Sequence, residues 1–484
     1  MAKNKTLYLL LLILIIAGFF RLYHITTTPP GLYPDEAMNG NNALQAAQTG
    51  DYKVFYPENN GREGLFMNIQ SLFLRFFAVN EPWVLRLPSA IFGILTVLGI
   101  YLLAKELFSV RIGLLSAFFA ATSFWHIMFS RIGFRAIMAP FFAVWAFYFL
   151  LKAFRSPNSK FQVPSSVIGG IFYGLGFYSY IAYRITPLLL LLFIPFFARE
   201  KGFWKVAGTF LLTTFFVALP IGIYFLQHPA DFMGRTSEIS IFSAQSPLKD
   251  LAVNVAKTLG MFNFVGDWNW RQNYAGAPEL FWPVGILFIL GVILGIKNLI
   301  SKSKFEAPNS KFPYWILFFW FFLAMLPVVI SNEGIPHALR SILMIPPVMI
   351  LCGIGGIAIY DWIKKRIPEY WVRAAVAFFI AFVVSNAYYM YFIAWANNPN
   401  VQGAFAADYV ALGRQLNSLP VSVPKYIVVD AGGVLANGIP MPAQTVMFIT
   451  GTFTAKGQAA KNIHYVLPAD EKNIPAGSEK FWVR

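Results

Sequence analysis

A single cysteine, Cys352, stands in 484 residues, and it lies inside an apolar run. That leaves no internal disulfide and no cysteine-built metal cluster. Charge is scarce too: 12% of the residues are Asp, Glu, Lys or Arg, against about 25% in a soluble domain. The five histidines (His24, His126, His228, His337 and His464) are scattered, without the paired spacing of a zinc hydrolase. There is no phosphate-binding P-loop, no G-x-S-x-G elbow and no dinucleotide fingerprint. A net charge of +16 would suit nucleic acid, but the basic residues are not gathered on one polar domain. No nucleic acid partner is expected.

What is present is oil. The chain is 57% hydrophobic and 18% aromatic, and its apolar runs are roughly 17–25 residues long, enough to cross a hydrocarbon core of about 30 Å. About eleven spans are expected, near 7–24, 84–103, 112–129, 137–152, 165–182, 185–198, 206–226, 281–297, 313–331, 341–360 and 374–395. The first, "MAKNKTLYLLLLILIIAGFF", has the basic start and apolar core of a signal peptide. No small-x-small cleavage site follows it, so it is read as a retained span.

With the N-terminus in the cytoplasm, every short inside segment is basic, from Lys3 and Lys5 through Lys105 and Arg111 to Lys364, Lys365 and Arg366. This is the positive-inside bias. An odd number of spans then leaves residues 396–484 outside. The expected architecture is an all-α polytopic membrane domain over 1–395, with long outer loops near 25–83 and 227–280, and a small α/β extracytoplasmic domain over 396–484. In that tail "KYIVVD", "QTVMFITG" and "NIHYVL" read as strands and "AFAADYVALGRQLNSL" as an amphipathic helix. "PNSKF" occurs at 157–161 and 308–312, a coincidence of polar loop composition rather than a repeat.

Outside loops should be poor in basic residues, yet Arg62, Arg75, Arg86, Arg131, Arg135, Arg184, Arg235, Arg271 and Arg340 fall at the outer edge, with Lys249 and Lys257. Arginine presents a planar fork that matches phosphate oxygens, though single arginines also snorkel to headgroups or pair with carboxylates. The outer carboxylates include Asp35, Glu36, Glu58, Glu63, Asp231, Glu238, Asp267 and Glu333. In "GLYPDEAMNGNN" the proline and adjacent acids are ordinary helix-start grammar. Their place, directly after the first span, also suits chemistry at the membrane edge. A carboxylate at a helix N-terminus is a stable anion and a weak base, so it needs a good leaving group. The loop "FNFVGDWNWRQNYAGAPELFWP" carries Asp267, Trp268 and Arg271. Its aromatic faces and amides suit a sugar, and its Trp and Tyr equally suit the interfacial belt.

An Asp-Glu pair in the first outer loop resembles the C-type membrane glycosyltransferases, especially the protein O-mannosyltransferase and aminoarabinose-transferase group. The stretches "WVLRLPSAIFGILTVLGIYLLAKELF", "RIGLLSAFFAATSFWHIMFSRIGFR", "GRTSEISIF", "GDWNWRQN" and "IPHALRSILMIPP" extend the resemblance over roughly 1–395. It implies transfer of a sugar from a polyprenyl-phosphate-linked donor to an acceptor hydroxyl on protein, lipid or glycan, at the outer face of the cytoplasmic membrane. Asp35 would take the acceptor proton, and Glu36 would orient the acceptor or a neighbouring cation. Arg62, Arg131, Arg135 and Arg340 would hold the lipid phosphate, with Glu63, His337, Asp267, Arg271 and Trp268 at the substrates. No cofactor is demanded; a divalent metal, if used, would take Asp35, Glu36 and His337. Two departures stand out: "GREGLF" replaces a Lys-Pro-Pro-Leu-type stretch, and Arg135 stands where relatives carry an acid. Two other readings use the same features. One is a transporter or flippase of a lipid-linked sugar, against which stands the near absence of mid-membrane acids; the other is an assembly protein with the tail as partner module.

Overall fold

The computed structural model describes residues 2–156, 159–233, 241, 246–301 and 309–484. Arg235 and Glu238, most of "GRTSEISIF" and parts of both "PNSKF" copies lie outside the described residues.

Apolar side chains must meet lipid or one another, and helices satisfy their backbone internally while doing so. Among the described residues, eight helices are long and apolar enough to cross a membrane: Asn4–Leu22, Pro82–Leu107, Arg135–Arg155, Phe203–Gln227, Trp282–Ile300, Phe312–Val329, Ile342–Lys364 and Glu369–Trp395. The remaining three expected spans are also helical, but short, broken or less apolar. Val110–Thr122 gives way to Phe124–Phe129 at Ser123, whose hydroxyl accepts the His126 N–H and caps the second piece. Ser159–Gly176 is a separate helix. The region 181–197 is a 3-10 turn and two short helices, interrupted at Pro187, which has no N–H to donate.

One end of this bundle carries the long loops. There the helix Pro34–Thr49, here the acidic helix, is followed by the small hairpin Phe55–Tyr56/Arg62–Glu63 and the helix Leu65–Phe77. The tail sits on the same end. Its sheet has three parallel strands in the order Ile463–Val466, Lys425–Val429, Glu479–Val483, with Ile427 opposite both Tyr465 and Phe481.

One expected strand is wrong. "QTVMFITG" forms the helix Ala443–Thr450, and each of its eight residues is buried. It is wedged between the acidic helix and the helix Ala407–Ser418, where Gly413 lets Ile449 approach. Burial on every side erases the apolar stripe that marks a helix in sequence. The strand missed instead is Glu479–Val483, an edge strand whose first two residues are exposed and charged.

The tail grips the acidic helix directly. Asn41 Nδ2 donates to the Gln444 carbonyl (3.1 Å) and Oε1 (3.0 Å), and Thr445 Oγ1 donates to the Leu32 carbonyl at 2.8 Å. At Gly31 a β-carbon would stand 2.1 Å from the Phe405 carbonyl oxygen, which is backbone and cannot swing away. Gly31→Ala should therefore lower stability by about 1–3 kcal/mol, read as a lower unfolding midpoint in detergent and faster proteolytic release of the tail. An unchanged midpoint would show that the seam yields at no cost.

Candidate active site

The acidic helix begins after Tyr33, which is extended, with Pro34 in its first turn followed by Asp35 and Glu36. Consecutive helical residues point about 100° apart, and the two acids have different fates. Glu36 is fully buried. It accepts from Arg86 Nε (2.8 Å) and Nη2 (3.1 Å) and from the Gly133 N–H (2.7 Å). Arg86 also donates to the carbonyls of Pro29 (2.7 Å) and Gly31. Glu36 is thus paired with Arg86 in an anchor closed to solvent and is not on the cavity wall, so the part expected of it in orienting the acceptor has no geometry here.

Asp35 instead lines a cavity of about 630 Å³. Its Oδ1 accepts from Asn59 Nδ2 at 2.6 Å. Asn59 belongs to a turn in which Asn59, Asn60 and Gly61 all have positive φ (54°, 63° and 79°). Gly61 is required there twice over, because a β-carbon would also meet the Phe55 ring at 2.5 Å.

Four arginines share this cavity: Arg62, Arg135, Arg184 and Arg340. Arg62 donates to Asn39 Oδ1 and Asn42 Oδ1, both at 2.6 Å, so among the described residues amides alone hold it. Burial, reinforced by Arg135, brings its pKa down to about 10, which leaves it protonated at neutral pH. Arg135 Nε (2.8 Å) and Arg184 Nη2 (3.0 Å) bind the two oxygens of one buried carboxylate, Glu63. This explains the acid in "GREGLF". Arg184 also stands over Phe225 (4.6 Å) and Phe232 (4.7 Å). Arg340 donates to Ser331 Oγ and to the carbonyl (2.9 Å) and carboxylate (3.2 Å) of Glu333. Arg184 belonged to the outer-edge group, but no spacing in sequence ties it to Glu63, 121 positions away.

Arg131 is corrected. It is fully buried and donates to the carbonyls of Phe20 (3.0 Å), Tyr23 (2.8 Å) and Thr28 (2.9 Å), under the rings of Tyr391 and Phe392. It closes the end of the first helix and does not line the cavity. Trp268 is two-thirds exposed (67%) and lies against Gly276 of its own loop. Arg271 sits over the Tyr33 ring at 5.1 Å, beside the acid pair rather than on the cavity wall. The metal set is corrected as well. Among the described residues no three His, Cys, Asp or Glu groups are placed to hold a metal ion, and the Glu36 oxygens are already bound.

Asp267 and His337 work through the loop that carries Arg340. Asp267 Oδ1 accepts the Asn269 N–H and Oδ2 the Ala338 N–H, both at 2.8 Å, and His337 Nδ1 lies 3.7 Å from Oδ2. Gln272 Oε1 accepts the Leu339 N–H at 3.3 Å. "GDWNWRQN" therefore clamps "PHALRS". Burial raises Asp267 to about 6 and lowers His337 to about 3, the latter with help from Arg340 and Arg271.

Residues 65–224 match the family model described as dolichyl-phosphate-mannose-protein mannosyltransferase. In fold the chain is similar to the oligosaccharyltransferase AglB from Archaeoglobus fulgidus, solved with an inhibitory peptide and a dolichol-phosphate (TM-score 0.60, 16% identity, 96% of this chain and 64% of that one). The apo form of the Archaeoglobus fulgidus oligosaccharyltransferase gives 0.57 at 15% identity over 98% and 66%. The chain thus spans slightly less than two thirds of that enzyme's length. ArnT from Cupriavidus metallidurans, bound to undecaprenyl phosphate, gives 0.57 at 14% identity over 99% and 90%. No curated protein matches the chain. The chain is thus a multi-pass membrane protein with the fold that AglB and ArnT share. The family match itself covers residues 65–224, a third of the chain.

The two shifted groups predict opposite pH responses. The folded value of His337 is depressed, so its contribution is complete above about 6.5 and is lost as the pH falls toward 3. The folded value of Asp267 is raised, so its penalty is complete above about 6 and fades as the pH falls toward 3.8. Between pH 6.5 and 4.5, His337→Gln should gain stability relative to the parent and Asp267→Asn should lose it, each by on the order of 2 kcal/mol. Chemical denaturation at both pH values checks this, and parallel profiles for all three proteins would refute it.

Proposed function

We propose that this protein moves one glycosyl group from a polyprenyl-phosphate-linked donor to an acceptor hydroxyl at the outer face of the cytoplasmic membrane. The observation that carries the reading is the placement of Asp35: bound to an amide and, among the described residues, to no arginine, it shares one cavity with Arg62, Arg135, Arg184 and Arg340. The volume of about 630 Å³ is in the range of small-molecule sites. Phe55, Phe134, Ile181, Ile185 and Phe232 on its wall suit the first isoprene units. AglB with dolichol-phosphate and ArnT with undecaprenyl phosphate have the same fold, which supports a lipid phosphate as ligand here.

In this reading Asp35 Oδ2 takes the proton of the acceptor hydroxyl while Asn59 steadies Oδ1. The acceptor oxygen bonds to the anomeric carbon as the bond from that carbon to the phosphate oxygen breaks, with inversion. The lipid phosphate leaves with a second negative charge, which Arg62 and the Arg135–Arg184 pair stabilise where it develops. Glu36 keeps the helix, and so Asp35, in place. The basic short loops favour the N-terminus inside, which puts the cavity, the residues from about 25 to 83 and the tail outside. The tail, residues 396–484, then acts as a brace on the acidic helix.

Asp35→Asn removes the base and keeps the shape. Transfer from a polyprenyl-phosphate sugar in proteoliposomes should drop about 10²–10⁴-fold, with binding of polyprenyl phosphate retained. Undiminished transfer by folded Asp35→Asn would dismiss the proposed base.

A further inference from the structure

Glu63 deserves a role of its own, because it is an acid in the middle of a site argued to hold an anion. It is almost wholly buried (1% exposed) and is the shared partner of Arg135 and Arg184. Those two arginines come from separate elements, the turn Arg135–Ile137 and the turn Ile181–Ile185. Its chain neighbour Arg62 completes a group of three guanidinium ions on one cavity wall, and Arg62 feels the charge of Arg135. A carboxylate here subtracts one charge from three. Among these four side chains the surplus is two; of the other acids on the cavity wall, Asp35 is bonded to Asn59 and Asp231 accepts from the Tyr224 hydroxyl at 2.8 Å.

That number has a chemical counterpart. A glycosyl phosphodiester carries one negative charge, and the lipid monophosphate that leaves carries about 1.5 to 2 near neutral pH. A lipid diphosphate carries more. Asp35 ends the step protonated, so it does not compete for the arginines in the product. Arg340, the fourth arginine, is already answered by Glu333.

We infer that Glu63 is a specificity-determining residue: by holding Arg135 and Arg184 it trims the cavity's positive charge to match a lipid monophosphate and to disfavour a lipid diphosphate. The geometry also bars a simple swap of ligand for Glu63. Two buried arginines cannot release a buried carboxylate without leaving it unpaired, which is costly. The anion must instead be taken by Arg62 and by the guanidinium N–H groups that Glu63 leaves unused. This inference rests on the lipid-phosphate reading above.

The test is binding by the full chain in nanodiscs, with polyprenyl monophosphate and polyprenyl diphosphate of equal chain length as probes. The parent should prefer the monophosphate. Glu63→Gln adds one unit of net positive charge in a partly desolvated site and should tighten diphosphate binding by about tenfold or more, with a smaller gain for monophosphate. The double variant Glu63→Gln/Arg184→Gln restores the charge count and should return the preference to that of the parent. If Glu63→Gln fails to fold, Arg184→Gln alone serves: it leaves a one-to-one pair and should weaken diphosphate more than monophosphate. An unchanged ratio in folded Glu63→Gln, or in Arg184→Gln, overturns the role of Glu63 while leaving lipid-phosphate binding intact. A parent chain that binds neither lipid overturns the underlying reading itself.

Discussion

The pair Arg86–Glu36 is shut away from water, and the rest of the loop end is arranged around it. Two ions in a low-dielectric interior repay their desolvation only when every remaining donor and acceptor is met. Here the carboxylate takes three N–H bonds, and the guanidinium adds the carbonyls of Pro29 and Gly31. Those partners belong to the chain leaving the first span, the acidic helix, the second span and the loop at Gly133. Three regions far apart in sequence, 29–36, Arg86 and Gly133, are thereby fixed to one point. The next residue up the acidic helix, Asp35, inherits that precision without being buried itself. An anchor and a cavity-lining carboxylate as neighbours in one helical turn is an economical solution, since rotation by one residue separates a closed environment from an open one.

The tail extends the same logic. Helix Ala443–Thr450 lies along the acidic helix, with Gly40 placed where Leu85 and Phe448 come close. Thr445 and Gln444 are bonded to Leu32 and Asn41, on either side of the acid pair. The acidic helix is thus held from the bundle through Glu36 and from the tail through its other face. Its central run Asn39-Gly40-Asn41-Asn42 would weaken it as an isolated helix. Tertiary contacts supply what its propensity lacks.

Much of this was readable in advance, and the part that was not has a common cause. Apolar runs of membrane length mark the spans, and the acid pair after the first span points to the cavity that Asp35 lines, because both signals are local. The Arg135–Glu63–Arg184 triad is not local: Glu63 is 72 residues from one partner and 121 from the other. Helix Ala443–Thr450 read as a strand because it is buried all round and shows no stripe. Arg131 and Arg135 stand four residues apart in "SRIGFR" and looked equivalent. One points to backbone carbonyls and the other to a carboxylate, and only the folded chain around them decides which.

That difference separates the arginines of this protein into two kinds. Arg21 and Arg131 each donate to three backbone carbonyls at the ends of helices. Withdrawing either would leave buried carbonyls without donors, at about 1–3 kcal/mol apiece. They are committed to the fold. Arg62 is held by the side-chain oxygens of Asn39 and Asn42, and its Nε has no partner among the described residues. Asn39 already donates to the Gly133 carbonyl, so its position does not depend on Arg62. A phosphate oxygen arriving at the free Nε would add a charge-assisted bond without breaking an existing one. Among the cavity's arginines Arg62 is therefore the one whose present bonds leave it most available to an anion, and it stands one residue from the carboxylate that sets how much charge that anion can bring.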